Sequence, residues 1–320
     1  MIIWFLLCIS VFVNIIASWS DEPHMLISYI AYINLNDDEK EILNRIFQNG
    51  NDSHFDNPIT ASVWADNIKP HNPKRTSYSF NFRRNELLDI FNEWHYVQLN
   101  YNPMKINIAS YHLRAHKGKH NAMGILKHIY RILNEVRQKL GHGTYYSYNF
   151  YLRFFIHIFA DLHQPLHAIN FFNSNYPNGD KGGTNISVNY KGSINKLHYL
   201  CDNIFKTRKK QWPNINMTNI ERDAKYLMSS YPPEYFGNKL ILPHDKIKYI
   251  EDIANESYDI AVQNIYSFFP LADLKRNEQY SVNQYFVINT KKILNSQMVL
   301  AGYRLSAYLK DIIANIPPDL

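Results

Sequence analysis

His157 and Asp161 stand four residues apart in NFYLRFFIHIFADL (149–162), a run that is apolar nearly all round. On a helix this spacing puts both side chains on one face. A carboxylate buried among apolar residues without a partner is costly, and metal coordination by imidazole and carboxylate is the compensation these residue types offer. His167 follows just past Pro165, close enough to reach a second ion. His198 and Asp202 repeat the H-x-x-x-D spacing in LHYLCDN (197–203). A single pair of this kind is more often a surface ion pair. Two copies, one of them inside an apolar helix, point to a His/Asp metal centre.

The segment FIHIFADLHQPLHA (155–168) resembles the core signature of the S1/P1 nuclease family, which are secreted zinc-dependent single-strand nucleases. GDKGGTN (179–185) and NKLHYLCDN (195–203) are similar to the next two signatures of that family. ASVWADNIK (61–69), EWHYVQ (93–98) and AGYRLSAYL (301–309) match the rest in order, so the resemblance covers nearly all of residues 19–320. It implies three zinc ions held by nine residues. Trp19, through a free amine and carbonyl oxygen, and His24 would share Asp161 as a bridge to an ion held by Asp66, His95, His157 and Asp161. His167, His198 and Asp202 would hold the third ion. Every one of these positions carries the expected residue type.

The resemblance also implies hydrolysis of phosphodiester bonds in single-stranded DNA and RNA to 5′-phosphorylated products, with 3′-nucleotidase activity. Zinc suits this reaction because it acidifies water and stabilises charge on the attacking and leaving oxygens. Asp66 and Asp161 are the carboxylates assigned to catalysis, and Lys69 would add positive charge near the phosphate. Lys69 reads equally well as a solvated surface lysine. Tyr96 is the candidate stacking platform for an unpaired base, which a duplex would not present. Asn203 would hydrogen-bond a base edge. Gln98 occupies a position where the family usually has an acidic residue that holds the base, and its amide both donates and accepts. Cys201 stands where the family usually has Trp, and the usual disulfides are missing.

These side chains need a scaffold, and most of the chain has helical periodicity. Asn36 with Glu39 forms a capping-box start for DDEKEILNRIF, and Leu294, Met298, Gly302, Leu305, Leu309 and Ile312 mark one C-terminal helix. NISVNY (185–190), followed by Lys191-Gly192-Ser193, predicts a short hairpin. Residues 206–248 hold several prolines and little period, which predicts long loops. The expected fold is therefore mainly α, a single-domain phospholipase C/P1 nuclease-like helical fold with a short β-hairpin. Only 11 Gly argue against a Gly-rich dinucleotide fold, and two cysteines, Cys8 and Cys201, exclude cysteine-based zinc fingers and iron–sulfur sites. A net charge of +6 is compatible with a polyanionic partner.

Residues 2–16, IIWFLLCISVFVNII, are almost unbroken apolar, and Ala17 and Ser18 follow. The run is short of the roughly 20 residues a spanning helix needs. It predicts a signal peptide over 1–18, cleaved after Ser18, although it lacks an early Lys or Arg. Cleavage there would free the Trp19 amine and leave 19–320 as the catalytic domain. The expected destination is the outside of the cell or the secretory and endolysosomal pathway, as a monomer with no stable membrane anchor. Sequons at Asn51, Asn185, Asn216 and Asn255 fit that route as possible glycosylation sites.

His112, His116 and His120 lie at helical spacing, but Arg114, Lys117 and Lys119 surround them and disfavour a cation. His163 is one position off the metal-facing register and reads as structural. Tyr145, Tyr146 and Tyr148 read as core or rim. Two other functions stay open at this point. A zinc-dependent phospholipase C shares the fold and most ligands, but typically ends its ligand set in Glu where this chain has Asp202. A secreted non-catalytic nucleic-acid-binding protein would have little reason to keep all nine positions.

Overall fold

The computed structural model describes residues 19–50, 52–68, 86–109, 118–135, 144–203 and 211–316. The expected signal segment 1–18, the sequon Asn51, Lys69, and His112 and His116 lie outside them. Helices dominate and the strands are few and short, so the mainly α class holds.

Chain order runs through helices α1 (Asp21–Ile33), α2 (Asp37–Gln48), α3 (Pro58–Ala61) and α4 (Trp64–Asn67). A 3-10 helix (Glu86–His95) and strand β1 (Leu99–Tyr101) follow, then α5 (Ala122–Glu135) and α6 (Thr144–Leu162). A 3-10 turn (Pro165–His167) leads into β2 (Ile169–Phe171), β3 (Ser187–Tyr190), β4 (Ser193–Lys196) and α7 (Leu197–Asn203). The last part holds α8 (Met217–Ser230), α9 (Pro233–Phe236), α10 (Lys246–Ile260), β5 (Gln279–Ser281) and α11 (Gln284–Ala314).

The centre of the fold is α6. Leu152, Phe154, Phe155, Ile158, Phe159 and Leu162 are all buried, which explains a helix without a polar face. Phe150 is the exception, at 37% exposure near the first turns. Pro165 cannot continue the helix and turns the chain back toward the site. Ser257 of α10 ties the far end down by donating to Leu162 O at 2.6 Å. The C-terminal helix α11 packs against both α6 and α1. Gly302 makes that approach possible, because a Cβ there would meet Ile30 Cγ2 at 2.5 Å. The seam holds α1, and with it His24, against the core.

The capping box at α2 forms in both directions: Glu39 N donates to Asn36 Oδ1 and Asn36 N to Glu39 Oε2, each at 2.8 Å. The hairpin β3–β4 also forms, with Ser187 opposite Lys196 and Tyr190 opposite Ser193. Two pairings go beyond it. β5 runs parallel to β3, and β1 runs parallel to β2. Strands of three residues carry too little alternation to show in a sequence.

The long loops expected over 206–248 are corrected within 211–248. Here α8 is a full helix, opened by Asn216 Oδ1 accepting from Thr218 N at 2.9 Å. Ile220, Ala224 and Leu227 are its buried stripe, diluted by polar neighbours. Pro213, Pro232 and Pro233 all fall outside the helix and mark its limits.

Candidate metal centre

Asp161 projects from α6 into a ring of imidazoles and is fully buried. Its Oδ2 lies 2.9 Å from His95 Nδ1 and 3.2 Å from His157 Nε2. Its Oδ1 lies 3.4 Å from His24 Nε2 and 3.6 Å from His167 Nδ1. Asp66 completes the group from α4, with Oδ1 3.6 Å from His157 Nε2 and 3.9 Å from His95 Nδ1. His24 and His157 stack with centroids 3.8 Å apart. A second group adjoins it. His167 Nε2 is 3.8 Å from Asp202 Oδ1, and His198 Nε2 is 3.5 Å from Asp202 Oδ2.

Backbone carbonyls decide how these rings face. His157 Nδ1 donates to Ser62 O at 2.6 Å, His167 Nδ1 to His95 O at 2.7 Å, and His198 Nδ1 to Gly182 O at 2.6 Å. A carbonyl only accepts, so in each neutral ring Nδ1 carries the proton and Nε2 presents a lone pair. Each of those lone pairs points toward a carboxylate oxygen. Lone pair against lone pair is repulsive unless a cation or a proton stands between them. Gly182 serves this arrangement at φ 58, where a side chain would collide with Leu166 O at 2.1 Å.

The same conclusion follows from atoms without partners. Among the described residues, His24 Nδ1 and Nε2, Asp161 Oδ1, His167 Nε2 and Asp202 Oδ2 are buried and find no hydrogen-bond partner. Native interiors satisfy such groups, and each exception calls for a cause. Burial pushes the Asp161 carboxyl up, but the imidazoles of His157 and His167 outweigh it and hold it well below the usual range. Burial and the neighbouring His157 push the His24 imidazole down, which keeps it neutral and able to act as a ligand. Burial lowers His167 too, yet Asp161 and Asp202 win and raise it. Carboxylates that favour a proton there equally favour a cation in its place. Three sets could each hold an ion, the first two sharing His157: His24, Asp66 and His157; His95, His157 and Asp161; His167, His198 and Asp202. Imidazole and carboxylate donors suit zinc.

A family model for the S1/P1 nuclease matches residues 19–314, nearly the whole described chain. The chain belongs to the S1/P1 nuclease family. It is also similar to Nuclease S1 of Aspergillus oryzae (strain ATCC 42149 / RIB 40), at 24% identity over 168 residues, which is 52% of this chain and 55% of that protein. The alignment thus spans about half the length of that relative.

In this member of the S1/P1 family Trp19 is fully buried, and its indole Nε1 donates to Ala160 O at 3.1 Å, one residue before Asp161. Ser20 Oγ donates to Asp202 O at 3.1 Å, so the start of α1 touches both groups of ligands. Tyr96 follows His95 and is half-buried. Burial, with Glu93 beside it, pushes its hydroxyl up to about 12, so it stays a neutral ring. Gln98 adopts φ 56, a left-handed conformation that a non-glycine residue adopts at a cost. Asn203 donates through Nδ2 to Tyr199 O at 2.7 Å, and its Oδ1 finds no hydrogen-bond partner among the described residues.

His163 faces away from the ligands, donating to Phe159 O at 2.9 Å and accepting from Arg304 Nη1 at 3.3 Å. His120 is exposed, Tyr148 is core, and Tyr146 is 70% exposed. Cys201 is buried, and burial with nearby Asp202 pushes its thiol up. Sequence reasoning missed Gln164 and the carbonyls of Ser62, His95 and Gly182. Gln164 sits in the quoted core signature, which was its only signal. A carbonyl has no sequence signal at all.

Proposed function

We propose that the protein is a zinc-dependent endonuclease that hydrolyses single-stranded DNA and RNA to 5′-phosphorylated products and removes phosphate from 3′-nucleotides. The observation that carries this reading is the single carboxylate of Asp161 set among His24, His95, His157 and His167. One carboxylate with an oxygen toward each side is the arrangement a shared pair of ions needs.

His24, Asp66, His95, His157, Asp161 and Trp19 would hold two ions, and His167, His198 and Asp202 a third. Bound zinc supplies Lewis acidity, making water acidic enough to attack at neutral pH and offsetting charge on the phosphate. The chain's own residues do the rest. Ser62, His95 and Gly182 carbonyls fix the imidazole tautomers, so Nε2 is the nitrogen left to bind an ion. Asp161, held ionised by His157 and His167, brings negative charge that draws cations into a buried place, and Asp66 adds a second carboxylate to the group. Lys69 adds positive charge for the phosphate. Tyr96 offers a ring for an unpaired base, and Gln98 and Asn203 offer amide groups to its edge. The apolar start of the chain supports a secretory route with cleavage after Ser18.

Metal analysis of purified protein together with digestion of single-stranded DNA, duplex DNA, a 3′-nucleotide and a phosphatidylcholine tests the reading. Three zinc equivalents with cleavage of the single strand and the 3′-nucleotide are expected. One ion or fewer, or cleavage of the lipid alone, would sink it.

A further inference from the structure

Next to the third group of ligands, β4, β3 and β5 form a three-stranded sheet with one open face. Strand alternation sorts its side chains. Val188 is buried on the inner face, while Ser187, Asn189, Ile194, Lys196 and, on β5, Gln279 and Ser281 share the outer face. The outer face is therefore made of amides, hydroxyls and one lysine, with a single exposed aliphatic side chain. Residues 181–201 contain Lys181, Lys191 and Lys196 and no Asp or Glu. The acids that flank this stretch, Asp180 and Asp202, are both fully buried. Glu278, beside β5, is paired with Lys275 at 2.8 Å.

The tip of the hairpin is the second observation. Lys191 adopts φ 51 and Gly192 φ 83, the two left-handed positions of a tight hairpin turn. Asn, Asp or Gly takes the first of these positions more cheaply than Lys. What Lys adds is a charge, held 5.4 Å from the Tyr190 ring. From Ser193, just past the turn, to Lys196 the strand rises about 10 Å. Two residues later it reaches His198, whose Nε2 faces Asp202. Tyr199, 44% exposed, continues the path with an aromatic side chain.

We propose that this face, from His198 out to Lys191, holds the single-stranded polynucleotide that extends beyond the scissile phosphate. The inference rests on the nuclease reading above and deepens it. Lysines at the tip and the base of the hairpin track phosphates, the amides and hydroxyls between them meet sugar and base edges without selecting a sequence, and Tyr199 stacks a base. A lipid surface would ask for more exposed apolar residues than Ile194.

The test compares wild type with Lys191→Asn/Lys196→Gln. Asn tolerates the left-handed turn, so the fold is kept; Lys196→Gln alone leaves the turn untouched. Affinity for a phosphorothioate-linked oligothymidylate is measured across salt concentrations, and hydrolysis of a 3′-mononucleotide is followed in parallel. In the double variant the slope of log affinity against log salt should fall by about 1.4, at about 0.7 per phosphate contact, and by half that in the single variant. Mononucleotide hydrolysis should not change. Unchanged strand affinity and slope, with mononucleotide hydrolysis intact, would overturn the surface and leave the nuclease reading standing. Loss of phosphatidylserine-vesicle binding in place of strand binding would also overturn it. Wild type that hydrolyses neither nucleotide nor strand would sink the nuclease reading, while lysine-dependent strand binding in that protein would still uphold the surface.

Discussion

Gln164 Nε2 donates to Asp202 Oδ1 at 2.7 Å, while its own Oε1 accepts from Leu166 N at 2.6 Å. The amide is thereby locked in one orientation. One carboxylate oxygen of Asp202 is occupied, and Oδ2, 3.5 Å from His198 Nε2, finds no hydrogen-bond partner among the described residues. Gln164 thus chooses which oxygen Asp202 offers to an ion. Gln164→Ala should loosen the ion proposed for His167, His198 and Asp202 by about 10–100-fold, the usual range for groups that orient a ligand. Gln164→Glu should do at least as much harm, because it sets carboxylate against carboxylate. Competition with a chromogenic chelator reads this directly; identical release curves for variant and wild type would show that Asp202 needs no such support.

Asp161→Asn keeps the shape of the side chain and removes its charge. It also turns one of the two oxygens into a donor that faces an imidazole. Activity should fall by more than about 100-fold, the upper end for changes outside the ligand set. Zinc content should fall with it. A variant that kept both would show that Asp161 is not shared.

The N-terminus offers an independent check. An α-amine with a pKa of about 7.7–8.0 gives up its proton to a metal near neutral pH, whereas an amide nitrogen has no available lone pair. Protein beginning at Trp19 should be active and hold three ions. The same chain with one extra residue before Trp19 should lose the ion shared with His24 and most activity. Equal zinc content and turnover in the two forms would remove Trp19 from the ligand set.

His163 sets a pH dependence of stability. Burial, reinforced by the Arg304 guanidinium, pushes its pKa from 6.5 down to about 3. The folded state therefore keeps it neutral where the unfolded chain takes up a proton. Stability from this group is complete above about pH 6.5 and is lost as pH falls toward 3. By pH 5 the loss is about 2 kcal/mol. His163→Gln, which does not titrate, should lack it. Denaturant titrations of both proteins at matched metal loading give the difference; parallel stability curves between pH 7 and 5 would mean that the folded state protonates this ring.

Gly302→Ala should destabilise the fold by about 1–3 kcal/mol, because the added methyl overlaps Ile30 at the α1–α11 seam. The thermal midpoint reports it. Unchanged stability would mean that the helices separate without cost.

The legible part of this protein was local. The i, i+4 spacing of His157 and Asp161 in an apolar run set a helix, one shared face and a carboxylate in need of a cation, whatever else the chain did. The capping box at Asn36 and the hairpin at Tyr190–Ser193 were equally local and form as read. Helix α8 was not legible, since its three buried residues are too few to rise above polar neighbours.

The site as a whole belongs to the tertiary structure. His24 comes from α1, Asp66 from α4 and His95 from the end of a 3-10 helix, and only packing against α6 puts them around Asp161. Spacing along the chain named the donors that share one helix, and resemblance to a family named the others. Neither could say which ring nitrogen faces inward. That depends on carbonyls of Ser62, His95 and Gly182, groups that every residue possesses and no sequence distinguishes. A side chain's chemistry is written at its own position, but the direction of a lone pair is decided by whichever neighbour the fold brings within hydrogen-bond reach.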